Sequence, residues 1–165
     1  MGFRILVILK SALLALFFMS AASTVSTSVL AQQEAVQFAS EPLTIKKAKG
    51  ATHSFTVELA TTEDQREYGL MFRKVMPPDH GMLFVFEKMR DIMMWMENTP
   101  LPLDMLFLDA DGKITHIQEN AVPYSKAIIN SAGPVKYVIE LNGGIVKKLG
   151  LSVGDKASSA TIGKR

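Results

Sequence analysis

The stretch that decides the fold is "MMWMENTPLPLDMLFLDADG", Met93 to Gly112. In an extended strand its segment "LDMLFLD" puts Asp104, Leu106 and Leu108 on one side and Leu103, Met105, Phe107 and Asp109 on the other. Both sides are largely apolar, which predicts a central strand covered on two faces. The Asp111-Gly112 pair between apolar runs is a strong hairpin signal, and "ITHIQEN" supplies the returning strand. Asp104 shares its side with two leucines. A carboxylate there needs hydrogen bonds or a partner, because an unpaired buried charge costs several kcal/mol or shifts its pKa instead. Two roles stay open for it: accepting backbone N–H groups to pin a neighbouring loop, the commoner occurrence, or meeting a ligand in a pocket.

Working outward, "LTIKKAKG" and "HSFTVELA" read as two strands joined by a lysine-rich turn ending at Gly50. Thr62 and Gln65 have capping-box spacing, and Glu63 and Asp64 fall in the first turn, where the helix dipole favours acids. That predicts a helix through "EDQREYGLMFR" with Gly69 inside it, at a cost of about 1 kcal/mol against alanine. Pro77-Pro78 breaks the chain, and "GMLFVFE", apolar on both faces, begins the next strand. "DIMMWME", "KYVIELN" and "LSVGDKA" read as further strands. Gly143-Gly144 opens a short helix, "IVKKLG", with Gly150 as its C-cap. The chain therefore reads as one mainly β domain with one or two short helices packed on the sheet.

Of the 165 residues, the first 31 have the pattern of a signal peptide: Arg4 and Lys10, the apolar core "ALLALFFM", and a small-residue cleavage point after Ala31. Residues 32–41 read as a flexible lead-in, 42–157 as the domain and 158–165 as a frayed tail. The expected location is the periplasm or outside the cell, with no stable membrane insertion after cleavage. Removing residues 1–31 takes away Arg4 and Lys10 and leaves sixteen basic residues against sixteen acidic ones. A near-neutral domain has no global field to collect nucleic acid, so none is expected as a partner. With no cysteine in the chain, disulfides and thiolate chemistry are excluded.

Trp95 is the only tryptophan. On a strand, Met94 and Met96 face one way and Met93 and Trp95 the other. The prolines at 100 and 102 favour a bend that could bring Trp95 together with Asn98, Thr99 and Asp104, an aromatic platform beside directional hydrogen-bonding groups. The alternative is a core tryptophan. Eight methionines lie beyond the signal segment (Met71, Met76, Met82, Met89, Met93, Met94, Met96, Met105), and soft thioethers suit Cu(I). Met82 and Met105 fall in apolar strands as core filler, however, and His53, His80 and His116 lie in separate segments. No Gly-x-Ser-x-Gly elbow, phosphate loop or His-Glu-x-x-His motif appears. Asp104 and Glu140 could meet across a sheet, and "NGG" before the short helix could hold an anion, although a turn is the simpler reading.

The pieces "REYGLMFR", "GMLFVFE", "MWMENTPLPLDMLFLDADGKI" and "YVIELNGGIVKKLGLSVGD", in this order, resemble domain-of-unknown-function family 192, small proteins often exported by bacteria or found in archaea. The resemblance covers roughly residues 50–157 and implies a β-sandwich or barrel-like fold of jelly-roll type, with no established activity. The positions most characteristic of that family are Gly69, Leu70, Met71, Arg73, Gly81, Met82, Trp95, Met96, Asn98, Thr99, Pro102, Asp104, Glu140 and Gly144. Met94 departs from it, standing where the family more often has an aromatic, which weakens an aromatic-cage reading.

The function expected is an exported, non-catalytic binding module for a small polar molecule or saccharide, held by Trp95, Asn98, Thr99, Asp104 and Arg73, with no cofactor and no catalytic residue. The alternatives are copper handling by Met93, Met94 and Met96, and a hydrolase or isomerase built on Asp104 and Arg73.

Overall fold

A computed structural model describes residues 36–163. The expected signal segment 1–31, and residues 32–35 of the lead-in, lie outside the described residues. The elements run β1 (Ser40–Lys46), β2 (Thr52–Ala60), α1 (Glu63–Tyr68), β3 (His80–Arg90), β4 (Met93–Met94), β5 (Leu103–Leu108), β6 (Ile114–Ala121), β7 (Ile129–Asn130), β8 (Val135–Asn142), α2 (Ile145–Leu149) and β9 (Lys156–Ser159). Seven strands form one sheet in the order β6-β5-β8-β3-β2-β1-β9, and β4 pairs with β7 in a small ribbon. All neighbours in the large sheet are antiparallel except β2 and β3. Among the described residues no helix is long and apolar enough to cross a membrane.

The sheet curls into a half-barrel, so its two faces meet different surroundings. The inner face gathers Leu43 and Ile45 of β1, Phe55 and Val57 of β2, Leu83 of β3, Leu106 and Leu108 of β5, and Tyr137, Ile139 and Leu141 of β8. Ile145 and Val146 of α2, with Leu151, pack against that same cluster. The opposite face of β3, β5 and β8 carries Met82, Phe84, Phe86, Met105, Phe107 and Val138. Met76, Ile92, Met94 and Met96 from the connecting segments cover it. Each fully buried aliphatic or aromatic side chain in these layers is worth about 1.5–3 kcal/mol of transfer free energy. The edge strands β6 and β9 meet only at one end: the N–H of Ile114 donates to Asp155 O at 2.9 Å, that of Ala157 to Gly112 O at 2.8 Å, and Lys113 stands opposite Lys156.

The predicted central strand is β5, with all six residues buried between β6 and β8. The capping box at Thr62 forms as its spacing predicts, with Gln65 N donating to Thr62 Oγ1 and Gln65 Oε1 accepting from Thr62 N. Gly69 is not inside the helix, however. It is the C-cap, at φ 48° and ψ −130°, a conformation only glycine adopts cheaply, and α1 ends at Tyr68. "DIMMWME" pairs only at Met93 and Met94, because the chain turns away after Trp95. The last strand begins at Lys156 rather than Leu151 and takes in Ser158 and Ser159, while Ile162 packs against the inner core. Strand β9 thus runs two residues past the expected domain boundary at 157.

Candidate functional site

Asp104 resolves first. It lies on β5 opposite Leu141 and so faces the inner core, where it is fully buried. Its Oδ1 accepts the Asn120 N–H at 2.9 Å and its Oδ2 the Val146 N–H at 2.8 Å. Val146 stands in the first turn of α2, whose N-cap, Gly144, has no side chain to offer. Asp104 thus caps the helix from a distant strand, and the turn that "NGG" makes before α2 meets this carboxylate. Glu140 pairs with Met105 in the sheet and faces the other way. Asp104 and Glu140 cannot meet, and a reaction built on Asp104 has no access to substrate.

On the outer layer, α1, the turn after it, the far half of β3 and the chain from Asp91 to Thr99 enclose a cleft of about 330 Å³. Trp95 lines it, 40 % exposed, and so does Thr99. The predicted alternation holds: Met93 and Trp95 are exposed, while Met94 and Met96 are buried. Asn98 and Arg73 do not reach the cleft. Asn98 Nδ2 lies 3.8 Å from Met71 Sδ, and Arg73 forms a two-pronged ion pair with Glu58 of β2, one prong at 2.7 Å. The expected hollow shared by Trp95, Asn98, Thr99, Asp104 and Arg73 therefore reduces to Trp95 and Thr99. The trio of thioethers also divides, since Met93 and Met94 border the cleft and Met96 is sealed in the core beneath. Among the described residues no cluster of three or more histidines, aspartates or glutamates could hold a metal ion.

The loops around Trp95 are held in costly shapes. Phe72, Asn98 and Tyr124 have φ of 61°, 54° and 60°, left-handed values that cost a non-glycine residue on the order of 1 kcal/mol each. They are locked by cross-loop hydrogen bonds: Phe72 N donates to Asn98 O at 2.8 Å and Tyr124 N to Thr99 O at 3.1 Å. Gly69 closes one wall, and a Cβ there would stand 3.2 Å from the Phe84 ring.

Glu140 also belongs to the cleft wall. It is 4 % exposed, sits among Met82, Met105 and Val138, and forms no hydrogen bond or ion pair with any described residue. Its oxygens are not sealed, because His53 Nε2 is the one side-chain nitrogen or oxygen among the described residues that is both sealed and unpartnered. Burial alone raises its pKa to about 8. Gly81 on β3 lets β8 approach closely behind it, since a Cβ at 81 would collide with the Glu140 carbonyl oxygen. Across the cleft, Arg66 and Arg90 stack over Phe86 at 5.5 and 5.4 Å, and Arg66 Nη1 donates to the carbonyls of Thr61 (2.6 Å) and Val85 (3.0 Å). The sequence signal for Glu140 is a lone carboxylate in the apolar run "YVIEL" of β8. Nothing in the strand itself says that its covering layer leaves a gap.

The profile of the family DUF192, described as "Uncharacterized ACR", matches residues 44–159. A solved chain from Sinorhizobium meliloti 1021, described as a candidate transcription regulator, is 57 % identical, with a TM-score of 0.75 over 76 % of this chain and 98 % of that one. A protein of unknown function from Novosphingobium aromaticivorans DSM 12444 is 36 % identical, with a TM-score of 0.70 over 77 % and 89 %. No curated protein matches.

Proposed function

The chain belongs to the DUF192 family, and within that fold we propose that it is an exported, non-catalytic protein that binds a small polar molecule in the cleft between Trp95 and Glu140. One observation carries the reading: a nearly buried carboxyl with no partner among the described residues lines the same cleft as the only tryptophan. A protein gains nothing in stability from such a group, since burying it unpaired costs several kcal/mol. A ligand that completes its hydrogen bonds recovers that cost. Export rests on the pattern of residues 1–31.

Native mass spectrometry of the protein purified from periplasmic extract tests the proposal. A small retained mass, lost in Trp95→Ala, is expected together with an N-terminus near Gln32. A protein that is always empty and keeps residues 1–31 refutes it.

A second reading starts from the Sinorhizobium meliloti chain's description as a candidate transcription regulator. The observation favouring it is a row of outward lysines, Lys46, Lys156 and Lys113, on neighbouring strand positions. It requires duplex DNA to bind with an affinity that falls steeply with salt. The equal numbers of acids and bases beyond residue 31 favour the small-molecule reading.

A further inference from the structure

We propose that the cleft takes a small organic cation, an alkylammonium with a short apolar body, whose charged end, the nitrogen and its first carbon, lies between the Glu140 carboxylate and the Trp95 ring face. This deepens the binding role proposed above and rests on it.

Three features select a cation over a neutral or anionic ligand. The first is the unmet need of the cleft wall: no described cation lies within ion-pair distance of Glu140, and its surroundings on the sheet are Met82, Met105 and Val138. The second is the free aromatic face. Both arginines of the lining are stacked on Phe86, whereas no described cation lies over Trp95, and an indole face is the best aromatic partner for an ammonium.

The third feature is charge. From α1 the cleft receives Glu63, Glu67 and Arg66, from its end the Tyr68 phenol, and from the end of β3 Arg90 and then Asp91. Glu97 completes the lining but is paired with Lys126 at 2.6 Å. Setting that pair aside, three carboxylates face two guanidiniums before Glu140 is counted. The field therefore favours positive charge.

The exchange is balanced by one proton. In the empty cleft Glu140 keeps its proton up to about pH 8. Entry of an ammonium stabilises the carboxylate, and the Glu140 proton leaves to solvent while the ammonium keeps its own three. Linkage then requires affinity to rise about tenfold per pH unit below pH 8 and to level off above it. An alkylammonium, like a lysine side chain, holds its charge to about pH 10.

The test titrates the full chain with n-butylamine, n-butanol, butyrate and glucose from pH 6 to 9, read by the fluorescence of Trp95. Calorimetry in two buffers of different ionisation heat counts the protons released. Butylammonium should bind at least tenfold more tightly than butanol at pH 8, gain about tenfold from pH 6 to 7, and release close to one proton at pH 6. Glu140→Gln should abolish both the preference and the pH dependence. Should that variant misfold, the proton count on the unmodified chain decides alone. Preferential binding of butanol, glucose or butyrate without proton release overturns the cation assignment and leaves the binding role standing. Failure of all four probes also overturns the cation assignment, and the binding role then stands or falls by the retained mass.

Discussion

Replacing Glu140 with glutamine tests the cleft through stability, with no ligand needed. The carboxyl titrates near its usual value of 4.5 in the unfolded chain and near 8 in the folded one. Below pH 4.5 both states carry the proton and Glu140 costs nothing in charge. Between pH 4.5 and 8 the unfolded state gives up its proton while the folded state keeps it, so stability falls as pH rises. Above pH 8 both states are ionised and the loss is complete. Each unit of displacement is worth about 1.4 kcal/mol, so the full loss is on the order of 5 kcal/mol, of which roughly 3 is already lost at pH 7. Glutamine has nearly the same shape and no charge to bury. Urea unfolding of both proteins at pH 4, 7 and 9 should give similar stabilities at pH 4 and a variant about 3 kcal/mol more stable at pH 7, with a wider gap at pH 9. Parallel pH profiles would mean that Glu140 ionises normally in the folded protein and that the cleft solvates it freely, which removes the basis for the binding role.

Asp104→Ala should cost about 2–4 kcal/mol by leaving the Asn120 and Val146 N–H groups unpaired, with hydrogen exchange accelerated in α2 and ligand retention unchanged. Trp95→Ala should cost about 1–3 kcal/mol of unfolding free energy, since the ring is only partly exposed, and weaken butylammonium at least tenfold. Gly69→Ala should cost roughly 1–3 kcal/mol in thermal unfolding, because alanine must enter glycine's backbone region and its methyl presses on Phe84.

Where local chemistry decides the outcome, the sequence is legible. The Thr62–Gln65 spacing closes its capping box, Gly150 caps α2 in the left-handed region, and the two-sided apolar pattern of "LDMLFL" becomes the buried β5. The mainly β class follows from such elements. The site is harder to read because alternation says which residues share a face and not what covers it. Asp104 and Glu140 each sit in an apolar strand, yet one faces α2 and the other faces loops drawn from residues 68–76 and 91–102. That difference depends on sheet order, which no single segment encodes. Apolar "GLMFR" continues the helical pattern past Gly69 and hides its cap. Trp95 and Thr99 reach the cleft while Asn98 does not, because the bend after Met96 puts Asn98 in a left-handed turn instead of prolonging the strand.

The half-closed seam has a consequence for how copies of the protein treat one another. Strands β6 and β9 touch at one end and diverge beyond it, leaving main-chain groups that a strand from a second molecule could pair with. Lys113 and Lys156 face each other where the two strands meet, at the closed end of that opening, with Lys46 beyond Lys156 on β1. A strand pairing into the seam would come up against these ammonium groups, and an identical chain would bring lysines of its own. The mutual repulsion protects the unzipped edge from self-assembly, and it weakens once salt screens the charges.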